Sequence, residues 1–279
     1  MEGVRVMIVR RFLILALLVS GVPLLVHGQA AEGQKKHILF LGGSQAFAHD
    51  SVSHAMYTLE KIGEESGIFD VRFHTDLELV TKQELKANKK NLNWFDAVMF
   101  YTQGDLPLSD AQKADLMSFV KEDGKGVLVA HSGTDSFRES WPEYIEMVGG
   151  AFNQHPWHTK VRINVEDRSF PATKHFPASF EITDEIYQLN RYSRENVRVL
   201  MSLDANSVDL KARGVQRTDG DFAITWVDTW GKGRVFVSVL GHRDSVWDEP
   251  AIQKMWLEAA KWVLGMTEGE TTPRPKATE

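Results

Sequence analysis

Between residues 36 and 131 the chain changes its apolar period again and again, and this alternation narrows the fold to one class. "KHILFLGG" is a short apolar run that ends in a glycine turn. "DSVSHAMYTLEKIGEESG" follows with Val52, Met56, Leu59 and Ile62 spaced by three or four, the spacing of a helix face. Asp50 or Ser51 can cap its first turn and Gly67 can end it. "FDVRFHT" is a second strand, "TKQELKANKKN" reads as a polar helix, and "FDAVMFYT" is a third strand. "LSDAQKADLMSFVKEDGKG" carries a Ser109 cap and a Gly124 stop, and "GVLVAH" is a fourth strand. Strands that alternate with helices imply right-handed crossovers and a mostly parallel sheet flanked by helices.

After residue 151 the pattern turns to strands. "TKVRINVED", "DEIYQL", "VRVLMSL", "DFAITWVDTW" and "GRVFVSVLGH" are all strand-like, and the glycines of "TWGKGR" predict a hairpin. "PAIQKMWLEAAKWVLGM" closes the fold as an amphipathic helix with Ile252, Met255, Ala259, Trp262 and Val263 on one face. One domain over residues 35–267 is expected. The polar, proline-containing residues 268–279 are expected to be disordered.

The first 30 residues read differently. Arg5, Arg10 and Arg11 precede an apolar run from Phe12 to Leu25, and Gly28-Gln29-Ala30 supplies small residues for cleavage. This is the layout of a signal peptide, so a secreted or periplasmic protein with no stable membrane span after cleavage is expected. Gly21 and Pro23 break the run, which argues against a retained anchor. Cleavage after Ala30 removes three arginines and one glutamate, so the net charge of −6 becomes −8. No basic stripe suggests a nucleic-acid partner. The chain has no cysteine, which excludes disulfides, thiol catalysis and cysteine-ligated metal.

Five segments carry candidate chemistry. In "GGSQAFAHDS", between a strand and a helix, His49 and Asp50 would face the carboxyl edge of the sheet, where ligands gather in open α/β folds. "GVLVAHSGTDSF" ends a buried strand at His131, with Ser132 next to it. "NQHPWHTK" holds His155, Trp157 and His158; Pro156 favours an extended or turn conformation, so helical metal spacing does not apply. In "ITDEIYQL", Glu185 and Tyr187 share one side of a strand. "VSVLGHRDSVW" repeats the strand-then-histidine pattern at His242. Trp157 and Trp226 are candidate platforms for a sugar face.

The order of these segments resembles the ThuA-like family, named for a trehalose-utilisation protein. The resemblance rests on "GGSQAFAHDS", "GVLVAHSGTDSF", "HPWH", "DEIY", "WGKGRVF" and "LGH" and covers nearly all of the chain after residue 35. It implies a class I glutamine-amidotransferase-like, flavodoxin-like three-layer fold with added antiparallel strands in the C-terminal half. It also implies a role in sugar metabolism, where some members sit beside 3-keto-glycoside chemistry. In glutamine-hydrolysing relatives the nucleophilic cysteine stands at the turn that is "AHSGT" here. The chain has no cysteine, so it is not a glutamine amidotransferase by that mechanism, and Ser132 lacks the GxSxG elbow.

The combined expectation is an exported enzyme that acts on a small-molecule carbohydrate, a glycoside or a 3-keto-sugar derivative. His131, Glu185, His242 and His158 are the expected acid–base or ligating groups. His49, Asp50, His155, Trp157, Tyr187 and Trp226 are the expected substrate contacts. Histidines titrate near neutrality and suit proton transfer next to a sugar ketone. A divalent metal, zinc above others, could join histidine and carboxylate ligands, though no HExxH-like signature demands it. The alternative expectation is a non-catalytic carbohydrate-binding protein.

Overall fold

The computed structural model describes residue 1 and residues 35–276. The expected signal segment lies outside the described residues. Nine strands form one sheet: β1 (Lys36–Leu41), β2 (Phe69–His74), β3 (Ala97–Phe100), β4 (Gly126–Ala130), β5 (Ala151–Val165), β6 (Ser179–Asn190), β7 (Arg198–Leu203), β8 (Ala223–Trp230) and β9 (Gly233–Ser238). Among the described residues, five α-helices accompany them: α1 (Ser51–Ser66), α2 (Asp110–Lys121), α3 (Pro142–Val148), α4 (Asp244–Asp248) and α5 (Pro250–Val263).

The strand order is β2-β1-β3-β4-β9-β8-β7-β5-β6. The first four pairings are parallel and the last four antiparallel, so the sheet is mixed. The parallel half follows from the strand–helix alternation: α1 carries the chain from β1 to β2 and α2 from β3 to β4, while β2 reaches β3 through an irregular connection. The hairpin expected at "TWGKGR" joins β8 to β9 and seats β9 beside β4, with Ala130 opposite Ser238. The two strands that lead into His131 and His242 are therefore neighbours. α5 buries all five residues expected on its apolar face.

One expectation is corrected. Residues 81–91 form a bent, irregular segment rather than a polar helix. The segment has only Leu85 as a large apolar group, so a helix there would gain little from packing. Instead Asp115 accepts from the Lys82 backbone and the Thr81 hydroxyl, and the Asn91 amide donates to the Lys82 and Gln83 carbonyls. Residues 268–276 have neither helix nor strand; Arg234 pairs with Glu268, and Arg198 donates to the Thr272 carbonyl. Among the described residues, no helix is long and apolar enough to cross a membrane.

Candidate functional site

A cavity of about 400 Å³ opens where the carboxyl ends of the parallel strands meet the β5–β6 hairpin. The order β2-β1-β3-β4 reverses direction at β1, and such switch points leave a crevice at the strand ends. His49 enters from the loop between β1 and α1, His131 from the end of β4, and His242 from the turn after β9. Glu185 and Tyr187 enter from β6, and His155 and His158 from β5.

His131 begins a single 3-10 turn and holds a left-handed backbone, with φ of 41°. That region is costly for a residue with a Cβ, and such strain clusters at functional sites. Its side chain is sealed from solvent. Nδ1 lies 2.7 Å from the Val239 carbonyl, so in the neutral ring Nδ1 carries the proton and Nε2 presents a lone pair. That Nε2 faces Glu185 Oε2 at 3.1 Å.

Four more imidazoles close on the same region. His242 Nδ1 lies 3.2 Å from Glu185 Oε2. His158 Nε2 and His155 Nδ1 lie 3.1 and 3.4 Å from Oε1. His49 stands over the group, its ring centroid 4.9 Å from that of His131 and 5.3 Å from that of His242. Burial works to raise the Glu185 pKa, but His131 and His242 outweigh it and hold this carboxyl well below the usual range. Burial, reinforced by the charges of His131 and His242, pushes His49 down to about 3. Burial also lowers His158 despite the nearby Glu185. The Glu185 carboxylate holds His242 above the ordinary imidazole range, against its burial. Tyr187 is buried, its phenol pushed well above its ordinary range, so its hydroxyl keeps its proton.

The donor set fits a cation. His49 Nδ1, His131 Nε2 and His242 Nδ1 are buried; His49 Nδ1 has no partner, and the other two face only Glu185 Oε2, at 3.1 and 3.2 Å and without hydrogen-bond geometry, although unpaired buried polar atoms are costly. With one oxygen of Glu185 they offer four ligand atoms, all within 4.8 Å of one another. Three imidazoles and a carboxylate are the ligand types that zinc accepts.

The family model for ThuA, described as trehalose utilisation, matches residues 37–263. This chain belongs to the ThuA family. A ThuA-like protein from Bacteroides uniformis shares the fold with a TM-score of 0.67 and 23% identity, over 87% of this chain and 95% of its own. Another from Parabacteroides merdae has a TM-score of 0.66 and 18% identity, over 85% of this chain and 93% of its own. No curated protein matches the sequence.

In this ThuA-family chain, seven of the ten residues expected from sequence converge. His49, His155, His158, Glu185, Tyr187 and His242 line the cavity, and His131 sits beneath Glu185. Three do not reach it. Trp157 is buried beside Phe222 and donates to the Asp209 carbonyl; Trp226 is sealed in the core and donates to the Val148 carbonyl. Each indole is held by packing and one hydrogen bond, so neither is a sugar platform. Asp50 is exposed, its side chain caps nothing, and it does not line the cavity.

Phe47, Phe152, Gln103 and Asp135 also line the cavity and were not expected. Phe47 is 59% exposed at the cavity edge. Gln103 Oε1 accepts the backbone N–H groups of Ala46 and Phe47, fixing the loop that carries this ring. Its Nε2 donates to Asp135 Oδ2 at 2.6 Å. A glutamine just past β3 gave no motif, and only its position at a strand end could have marked it.

Proposed function

We propose that this ThuA-family chain is an exported enzyme that processes a small carbohydrate, a glycoside or a 3-keto-sugar derivative, at the cavity around Glu185. The observation that carries the reading is the convergence of unpaired imidazole nitrogens on one buried carboxylate, in a space suited to a sugar ring. His49, His131, His242 and Glu185 would hold a divalent cation, zinc by ligand type. Such an ion would supply Lewis-acid polarisation of a sugar carbonyl or hydroxyl.

The chain's own groups complete the chemistry. His155 and His158 are half-exposed at the cavity wall, where an imidazole can take a proton from a sugar carbon or hydroxyl and return it. The Tyr187 hydroxyl, protonated, can donate to a sugar oxygen. Phe47 offers an apolar face to the ring. Export is supported by the basic-then-apolar N-terminal segment, and sequencing the mature N-terminus tests it.

The activity test uses purified protein with and without chelator, incubated with glucosides and their 3-keto derivatives. Chelator-sensitive turnover is expected for one member of the panel. Binding without turnover across the panel, with His131→Asn leaving affinity intact, would overturn the enzyme reading in favour of a carbohydrate-binding protein.

A further inference from the structure

Glu185 presents its two oxygens to two separate sets of imidazoles. Oε2 faces His131 and His242, and Oε1 faces His155 and His158. The second set is as convergent as the first: His155 Nδ1, His158 Nε2 and a Glu185 oxygen lie within 4.8 Å of one another. The two ring nitrogens are themselves 2.7 Å apart. Neutral rings can place one proton between those nitrogens, which leaves lone pairs of the triangle opposed. A cation at its centre would satisfy all three atoms at once.

The backbone has been shaped to make this set. Along a regular strand, residues 155 and 158 would point to opposite faces, because side chains alternate. Here β5 carries a register irregularity between Gln154 and Trp157: three steps on β5 match two on β6, from Gln188 to Ile186. The extra residue brings His155 to the cavity side with His158, which pairs directly across the ladder with Glu185. A bulge sacrifices ladder bonds and re-aims a side chain. Both rings are nearly half exposed, so core packing gives no reason for their convergence.

We propose that the cavity holds two divalent cations, one on His49, His131 and His242 and a second on His155 and His158, with Glu185 bridging them through its two oxygens. A carboxylate bridge suits paired ions about 3.5–4 Å apart, the spacing of two-metal sites. The inner ion would have four protein ligands. The outer one would have three, with its remaining positions open to water or substrate oxygens; His155 and His158 would then be ligands, and a water polarised by the ion would take over the proton transfer given to these imidazoles in the single-ion site. The proposal rests on the reading that the inner cluster holds an ion.

The test is a count of Zn2+ bound per chain, by equilibrium dialysis of chelator-stripped protein and elemental analysis. Wild type, His131→Asn and the double variant His155→Ala/His158→Ala are compared, with thermal melts to confirm folding. Two ions in wild type and one in the double variant are expected. One ion in wild type that survives in the double variant but is lost in His131→Asn would overturn the bridge and leave the single-ion function standing. No ion in wild type would overturn both. One ion that depends on His155 and His158 but not on His131 would also overturn both.

Discussion

Asp184 Oδ2 accepts the backbone N–H of Gly241 at 2.7 Å, and Oδ1 accepts that of Arg243 at 3.2 Å. The carboxylate thus grips the chain on both sides of His242. The Gly241 carbonyl is held as well, by Ser51 Oγ, Tyr101 Oη and Trp247 Nε1. Gly241 has φ of 125°, which other residues rarely adopt. Asp184 is sealed on the face of β6 opposite to Glu185, so one strand supplies both the site's carboxylate and the clamp on one of its imidazoles. Asp184→Ala leaves two N–H groups unpaired at about 1–3 kcal/mol each. It also frees His242, and loss of such outer partners lowers metal affinity roughly 10–100-fold. Asp184→Asn, which keeps one acceptor, should fall between. Zn2+ titration beside urea melts separates the effects; a Zn2+ affinity unchanged in Asp184→Ala would refute the positioning role.

The left-handed backbone at His131 makes two substitutions unequal. Asn tolerates this region, whereas β-branched Val does not. Both remove the imidazole, so both should abolish turnover and inner-site Zn2+ binding. His131→Val should be less stable than His131→Asn by about 1–3 kcal/mol. Equal melting of the two would mean that the turn relaxes without cost.

The parallel half of the sheet was legible because β1 and β3 are each followed by a helix with its own period, α1 and α2. β5 was not read at full length, since Pro156 and the bulge hide the alternation across residues 151–158. Residues 81–91 misled because a polar run with good helix formers has no local signal for the Asp115 and Asn91 bonds that hold it open. Histidines at strand ends were readable as site residues because topology alone sends strand ends to one edge. The tryptophans were not, because which face of a strand is buried depends on the opposing layer. Gln103 and Phe47 depend on a loop-to-loop hydrogen bond that sequence does not display.

Phe47 exposes its ring at the cavity edge while its backbone is pinned by Gln103. Phe47→Ala should leave stability within about 0.5 kcal/mol, as for other surface changes. Its effect should fall on sugar binding: KM raised several-fold on the substrate found in the panel, with kcat little changed. A fall in kcat at constant KM would place the ring in the chemistry rather than in binding.

Arg194 is buried between two carboxylates. Its guanidinium makes two bonds to Glu166, at 2.7 and 2.8 Å, and one to Asp221 at 2.8 Å. Burial would raise the Glu166 pKa, but Arg194 overrides it and holds the carboxyl below its usual range. This stability is present above the unfolded carboxyl pKa and is lost as pH falls through the depressed folded value. Arg194→Met strands both carboxylates and should cost about 3–5 kcal/mol near neutrality. Urea melts at pH 7.5 and pH 4 should show the deficit shrinking in acid; a deficit that grows in acid would refute the assignment.

Asp228 has the opposite sign. It sits near the end of β8 without a cationic partner among the described residues, and it accepts the backbone N–H of Thr229. Burial pushes its carboxyl up from 3.8 to about 6. Between those values the folded state binds more protons than the unfolded state, so this group lowers stability as pH rises through the window. Asp228→Asn keeps the acceptor for Thr229 and removes the charge. At pH 7.5 it should be more stable than wild type by about 1–2 kcal/mol, after allowance for the group's partial solvent contact. As pH falls from about 6 towards 3.8 the two should converge, because the wild-type carboxyl is then protonated in the folded state and increasingly so in the unfolded one. Urea melts across pH 4–7.5 check this, and a stability difference independent of pH would exclude a raised Asp228 as its source.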